Sequence, residues 1–484
     1  MRLALVALSL AMAGLLAAAF AAHTPKPTLA AIGTLMAGAA KKDVSLPIGI
    51  PLAGYNHGDR RVPKWPLPQK RKYTTFMMPS VGIIDPTWCK VLILDDGKGT
   101  QLAFVTLDGI GSDETLNGIV IEKIREAGST LTIENIVFAS SHTHSGPGAI
   151  SPRMLWALAP ATDLLVYELQ QELATNIAAT IMEAHAAMEP AVMDIGIEMV
   201  YNLTVNRCAK DVPWLARDHI DPNMGVIAVN KADGSVMATV WNFAFHSVCY
   251  GPSNMKLSSD LAGAGCRAIE AAVGGVALFV NADAGDVDPA PGMCNGGSES
   301  ESNFVGGKLM ADRVVARRAA LSPTADVTIT TAFVQNPLGK TDMNLTLARM
   351  ANCTRGGPLD ICSFCEILDC DANLHLDEEW LDENPWYVAA RFDIGDKHIG
   401  AVTIPGELLT TPGDALRADM KAMGYTDAMI WGYSEAHGGY FPSSRTYDHI
   451  NGLYENQLAF WGPDTADKVV SPARTLLEQI KPSS

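Results

Sequence analysis

Short apolar runs that stop abruptly at histidine, glutamate, glycine or tyrosine constrain this chain more than any other feature. Residues 135–140 (NIVFAS) run into Ser141-His142-Thr143-His144-Ser145-Gly146-Pro147-Gly148, and 236–245 runs into His246. Residues 399–404 run into Pro405-Gly406-Glu407, and 428–431 run into 432–440, a segment rich in Gly, Tyr, His and Glu. Runs this short, bounded by turn residues, suit buried β-strands. Carboxyl ends of neighbouring strands in an open sheet lie along one crevice, where ligands bind. Four such strands would assemble a site from distant parts of the chain.

Between these runs, strands and helices alternate. Residues 89–94 and 101–107 flank Asp95-Asp96-Gly97-Lys98-Gly99, a hairpin signal, and 226–230 and 236–245 flank Lys231-Ala232-Asp233-Gly234. Helical patterns cover 113–127, 164–188, 261–272 and 412–423, with a further strand at 276–280. The expected fold class is α/β, with mixed β-sheets, partly antiparallel, sandwiched between α-helices. No internal repeat or low-complexity linker stands out, so 43–484 is expected to be a single catalytic domain.

Ahead of it, Arg2 followed by an uncharged apolar stretch over 3–22 and the small-residue site Ala19-Phe20-Ala21 read as a signal peptide over 1–21. An uncleaved membrane anchor is the alternative. A flexible leader is expected over 22–42. Either reading sends the chain to the secretory lumen or outside the cell. Acceptor sequons begin at Asn202, Asn344 and Asn352. Of the nine cysteines, four fall within 353–370, and in a secreted chain disulfides explain them better than a Cys362-Ser-Phe-Cys365 zinc knuckle. Acidic residues outnumber basic ones, 53 to 36, for a net charge of −17. With no dense basic face, nucleic acid is excluded as a partner.

The sharpest local pattern is His142-Thr143-His144. In extended backbone, residues two apart face the same side, so both imidazoles can address one ion. Alone, such a pair suits a hydrogen-bonded turn as well as a metal site. His246 and Glu407, at similar strand ends, bring the donors to the three or four that zinc takes. Asp108, just past the strand at 101–107, is either a hydrogen-bond partner for a ligating histidine or a strand-end turn carboxylate.

Five blocks, in order, resemble the neutral, non-lysosomal ceramidases: 141–148 (SHTHSGPG), 242–246 (NFAFH), 281–289 (NADAGDVDP), 404–407 (IPGE) and 432–443. Asn206-Arg207 adds a shorter match. The resemblance implies the catalytic fold of that family, hydrolysis of the ceramide amide to a sphingoid base and a fatty acid, and a Zn2+ cofactor. Carried over by position, zinc ligation falls on His142, His246, Glu407 and Tyr440. His144 would assist proton transfer or hold the substrate oxygen. Arg207 and Tyr454 would line the reacting centre, although Tyr454 needs a two-residue shift in spacing and equally fits plain aromatic packing. The implied partner is a small lipid-like amide, taken up in contact with a membrane surface.

Three departures stand beside these matches. Asp288 occupies the place of a functionally important family serine, His437 that of a tyrosine, and the additional C-terminal β-sandwich of longer ceramidases is not expected. They look like a shorter branch whose members need not cleave ceramide. Three functions therefore remain open: a ceramidase-like amidase, a zinc hydrolase of another amide or ester, or a non-catalytic secreted relative. The intact ligand set argues against the last.

Overall fold

A computed structural model describes residues 34–55, 57–61, 71–158, 162–341, 343–344, 373–374, 381, 384–449 and 454–483. The expected signal peptide, Asn352 and the cysteines of 353–370 lie outside these residues.

The first unit runs β1 (Met36–Asp43), β2 (Trp88–Asp95), β3 (Gln101–Leu107), α1 (Glu114–Glu126), β4 (Ile136–Ser140) and α2 (Tyr167–Ala186). The second runs β5 (Glu189–Met199), β6 (Asn223–Lys231), β7 (Val236–Phe243), α3 (Asp260–Val273), β8 (Val276–Asn281) and α4 (Val305–Ala319). The third runs β9 (Thr328–Gln335), β10 (Trp386–Ile394), β11 (Lys397–Thr403), α5 (Thr410–Ala422), β12 (Asp427–Trp431) and α6 (Thr465–Gln479). In every unit the first three strands are antiparallel and the fourth pairs parallel with the third. Parallel neighbours need a crossover connection, and α1, α3 and α5 supply it. The same βββαβα order thus occurs three times, where the sequence suggested no repeat. What recurs is connectivity and element length, while side chains differ from unit to unit, so residue comparison does not reveal it.

The first two sheets join in the order β8-β7-β6-β5-β1-β2-β3-β4, and the third, β9-β10-β11-β12, stands apart. The join is slight: β1 and β5 pair only at Met36 with Pro190 and Ala37 with Glu189. One apolar cluster draws on all three sheets, with Leu92, Phe104 and Val137 meeting Ile227, Val240, Leu278, Val388, Ile399 and Trp431. Each unit covers its outer face with its own helix pair. Val105 and Phe138 pack under α1 and α2, Trp241 and Phe279 under α3 and α4, and Val402 and Ile430 under α5 and α6. Strands buried on both faces read as continuous apolar runs, which is why they were legible in the sequence. The architecture is the α/β class expected, with sheets between helices.

Two expectations need correction. The leader expected over 22–42 is strand from Met36 onward, paired along its length with β2. Its small residues serve close packing rather than looseness, since a Cβ on Gly38 would lie 2.1 Å from the Ala184 carbonyl oxygen of α2. The four strands that end in polar residues are also not neighbours in one open sheet. β4 and β7 lie towards opposite edges of the joined sheet, and β11 and β12 belong to the other. Their ends meet because the third and fourth strands of each unit run parallel, and the loops after them converge at one end of the shared core.

No helix among the described residues is long and apolar enough to cross a membrane. Cys249 and Cys294 form a disulfide, while Cys89, Cys208 and Cys266 are buried thiols.

Candidate active site

Each unit contributes loops to one buried polar cluster. His142 and His144 follow β4, His246 follows β7, Glu407 follows β11, and Tyr440 follows β12. Short ladders lock these loops together. Glu407–Leu408 pairs in parallel with Tyr440–Phe441, placing Glu407 opposite Tyr440. The His144 N–H donates to the Ser247 carbonyl at 3.1 Å, and the His246 N–H to the Val287 carbonyl at 2.9 Å. Val287–Pro289 pairs with Thr204–Asn206, which sets Asp288 beside Arg207.

Nε2 of His142 and Nε2 of His246 stand 3.4 and 3.2 Å from the same Glu407 oxygen, Oε2. The Tyr440 hydroxyl is 3.4 Å from His246 Nε2. Donors bound at about 2.0–2.1 Å to a tetrahedral ion stand roughly 3.3–3.4 Å apart, so these three separations are close to the edge length of a coordination tetrahedron. Protonation points the same way. His142 Nδ1 donates to the Ile110 carbonyl at 2.6 Å, and His144 Nδ1 donates to the Gly54 carbonyl at 3.0 Å. Burial pushes His142 down to about 3, despite the pull of Glu407, and holds His144 well below the usual histidine range. Both rings are therefore neutral, with the proton on Nδ1. Their Nε2 lone pairs face each other across 3.1 Å, an arrangement that a cation relieves.

Strand alternation does not bring the two imidazoles together, contrary to expectation. His142 has φ of +57°, and the left-handed turn swings its ring toward His144. Tyr433 and Glu435 share this unusual conformation at φ +54° and +68°. Such backbone costs about 1–3 kcal/mol per residue and concentrates at functional sites.

Burial pushes Glu407 up, but His142, His246 and His437 outweigh it and hold the carboxyl well below its ordinary range. Burial, then the Glu407 charge, raises the Tyr440 phenol well above its usual value. Arg207 donates to the Tyr440 hydroxyl at 3.2 Å, the Gly285 carbonyl at 2.8 Å, Glu455 at 2.7 Å and Asp288 at 3.2 Å. Tyr454 is partly exposed, with its ring 5.5 Å from that of Tyr440. Asp108 is the strand-end alternative rather than a histidine partner. It accepts the Trp88 N–H at 2.9 Å, burial raises it to about 6, and the carbonyl of Ile110 holds His142 in its place.

Sequence reasoning gave no role to four neighbours, of which only His437 had stood out, as a departure from the family pattern. His437 donates from Nε2 to Glu407 Oε1 at 3.1 Å, and the Tyr433 hydroxyl donates to Oε2 at 3.3 Å. Glu455 pairs with Arg207. Arg60, buried and stacked on Tyr55, donates to the carbonyls of Ala53 and His144 and so fixes the histidine turn. Tyr433 and His437 lay inside the polar segment after β12 and were within reach of sequence reading. Nothing in the sequence ties Arg60 to a motif more than eighty residues away.

Fold and site together define an α/β protein with a buried His/Glu/Tyr cluster suited to a divalent metal. The family described as neutral/alkaline non-lysosomal ceramidase, N-terminal, matches residues 72–356, and the chain belongs to this family. Neutral ceramidase B of Dictyostelium discoideum is 24% identical over 219 residues, covering 41% of this chain and 30% of that protein. Neutral ceramidase of Pseudomonas aeruginosa is 24% identical over 248 residues, covering 48% of this chain and 36% of that one. The matched segments thus span about a third of these relatives. The crystal structure of neutral ceramidase from Pseudomonas aeruginosa superposes with a TM-score of 0.72 at 18% identity, covering 93% of this chain and 75% of that chain. A ceramidase complexed with C2 gives 0.71 at 19% identity, covering 92% of this chain and 75% of that one. These two likenesses are of fold.

Proposed function

We propose that this protein is a zinc-dependent amidohydrolase that cleaves the amide of ceramide, or of a related N-acyl lipid, to a fatty acid and an amine. The observation that carries it is the approach of His142 Nε2 and His246 Nε2 to one oxygen of an ionised Glu407, at spacings that suit one small divalent ion. His142, His246, Glu407 and Tyr440 would hold that ion. Zinc bound there supplies a water acidified to near neutrality and a Lewis acid for the amide carbonyl.

The remaining roles belong to the chain itself. His144 keeps its Nδ1 proton on Gly54, so its Nε2 is the atom placed to take a proton and return it to the leaving nitrogen. Arg207 is already engaged by Tyr440, Gly285, Asp288 and Glu455, so it orients the phenol rather than awaiting an oxyanion. Tyr454, partly exposed beside Tyr440, would form a wall for the substrate. Asp288 sits partly exposed on Arg207 and is the polar group best placed to meet a substrate hydroxyl or amine. The signal-peptide-like pattern expected over 1–21 and the Cys249–Cys294 disulfide support a secreted protein.

Metal analysis of protein folded with zinc present tests the centre, with about one zinc per chain expected. Release of fatty acid from a fluorescent ceramide tests the substrate. A second reading rests on Asp288, which replaces a neutral hydroxyl with a carboxylate. Cleavage of simpler N-acyl amides or esters, with ceramide left intact, would support it and reject ceramide hydrolysis.

A further inference from the structure

We infer that His437 is a positioning residue that keeps Glu407 a one-oxygen ligand, an inference that rests on the metal centre proposed above. The two oxygens of Glu407 have different surroundings. Oε2 faces His142 and His246 at 3.4 and 3.2 Å and accepts the Tyr433 hydroxyl at 3.3 Å. Oε1 accepts the Nε2–H of His437 at 3.1 Å. A carboxylate with both oxygens free tends to chelate a divalent ion, which fills a coordination position that catalysis needs open. A fixed N–H donor on Oε1 opposes that chelation.

The His437 ring is held for this task. It is buried, lies nearly parallel to the His142 ring at 6.0 Å, and packs edge-on to Trp156 at 5.6 Å. Gly111 leaves room for it, since a Cβ there would fall 2.6 Å from His437 Cδ2. The carbonyl of the preceding Ile110 holds His142 Nδ1. One short loop after β3 therefore sets both the ligating ring and the ring that restrains the ligating carboxylate. His437 is itself near enough to His142 and Glu407 for the three donor atoms to lie within 4.8 Å, but its Nε2 is committed to Oε1.

The test compares wild type with His437→Phe, which removes the donor, and His437→Gln, which restores an N–H. Gly111→Ala, which displaces the ring without altering it, serves as an independent variant if His437→Phe does not fold. Zinc affinity is read by competition with a chromogenic chelator, coordination by the visible spectrum of the cobalt-substituted protein, and turnover on a fluorescent N-acyl amide. His437→Phe and Gly111→Ala are expected to weaken zinc by about 10–100-fold. They should also weaken the cobalt absorption, as higher coordination requires, and lower kcat more than they raise KM. His437→Gln should recover most of each change. Wild-type affinity and an unaltered cobalt spectrum in His437→Phe would overturn the inference while leaving the centre standing. A wild-type protein that takes up neither zinc nor cobalt would overturn the centre and the inference with it.

Discussion

The twelve strands that pack Leu92, Phe104, Val240, Ile399 and Trp431 between the sheets also bury His142, His246, Glu407 and Tyr440 at their ends. Exposure hardly distinguishes the two regions, but the chemistry does. A buried apolar side chain contributes on its own, through area removed from water and close contacts. A buried imidazole or carboxylate is tolerated only with its partners, because an unpaired polar group costs several kcal/mol. The core should therefore respond to substitution residue by residue, and the polar end as a unit.

The largest expected effect tests that unity. Glu407→Ala, or His142→Ala, should lose both the metal and turnover, at several kcal/mol of transition-state stabilisation or roughly 10³-fold or more. Retained zinc in either variant, measured by elemental analysis, would break the comparison. His144→Ala should keep the metal and lose about 10²–10⁴-fold in kcat, the usual worth of a positioned proton-transfer group. In the core, Phe104→Ala should cost about 3–5 kcal/mol in denaturant unfolding, with turnover per folded molecule unchanged.

Acid should separate the regions again in metal-free protein. His142, held down to about 3 by burial, stays neutral while the unfolded chain takes up a proton below 6.5. The stability it supports is present above pH 6.5 and is lost as pH falls toward 3, by up to about 1.4 kcal/mol per unit. Glu407, also held low, acts in the same direction below its ordinary range. Asp108, raised to about 6 from 3.8, acts oppositely, its contribution being complete below 3.8 and lost as pH rises through 6. His142→Ala should flatten the acid limb of stability against pH, and an unchanged slope would assign that limb elsewhere. The smallest effect is expected at the rim. Asp288→Ser frees one donor of Arg207 from a partly exposed pair worth about 1 kcal/mol or less, so turnover should change only a few-fold, with ceramide favoured over simpler amides.

Legibility followed the same division. Runs such as 101–107 and 276–280 are apolar on both faces, so their period, length and bounding turns sufficed to place β3 and β8. β1 escaped because its alanines and glycine carry little hydrophobic signal, being chosen for the closeness of α2. In the site, His142, His246 and Glu407 announced themselves by following apolar runs. Tyr440 came from the family motif alone. Arg60 and Glu455 act on groups far away in sequence, through a carbonyl and a guanidinium, and no local pattern encodes such reach. The left-handed turn at His142 was likewise hidden, because the histidine holds that backbone only under tertiary constraint.

No one βββαβα unit owns the cluster. The first lends two imidazoles, the second another, and the third a carboxylate and a phenol. Turnover is accordingly a gauge of the whole chain's integrity. Because one apolar cluster is shared by all three sheets, a protease nick or local melting that lets any one of the units drift should silence the protein, and no fragment holding fewer than all three should work.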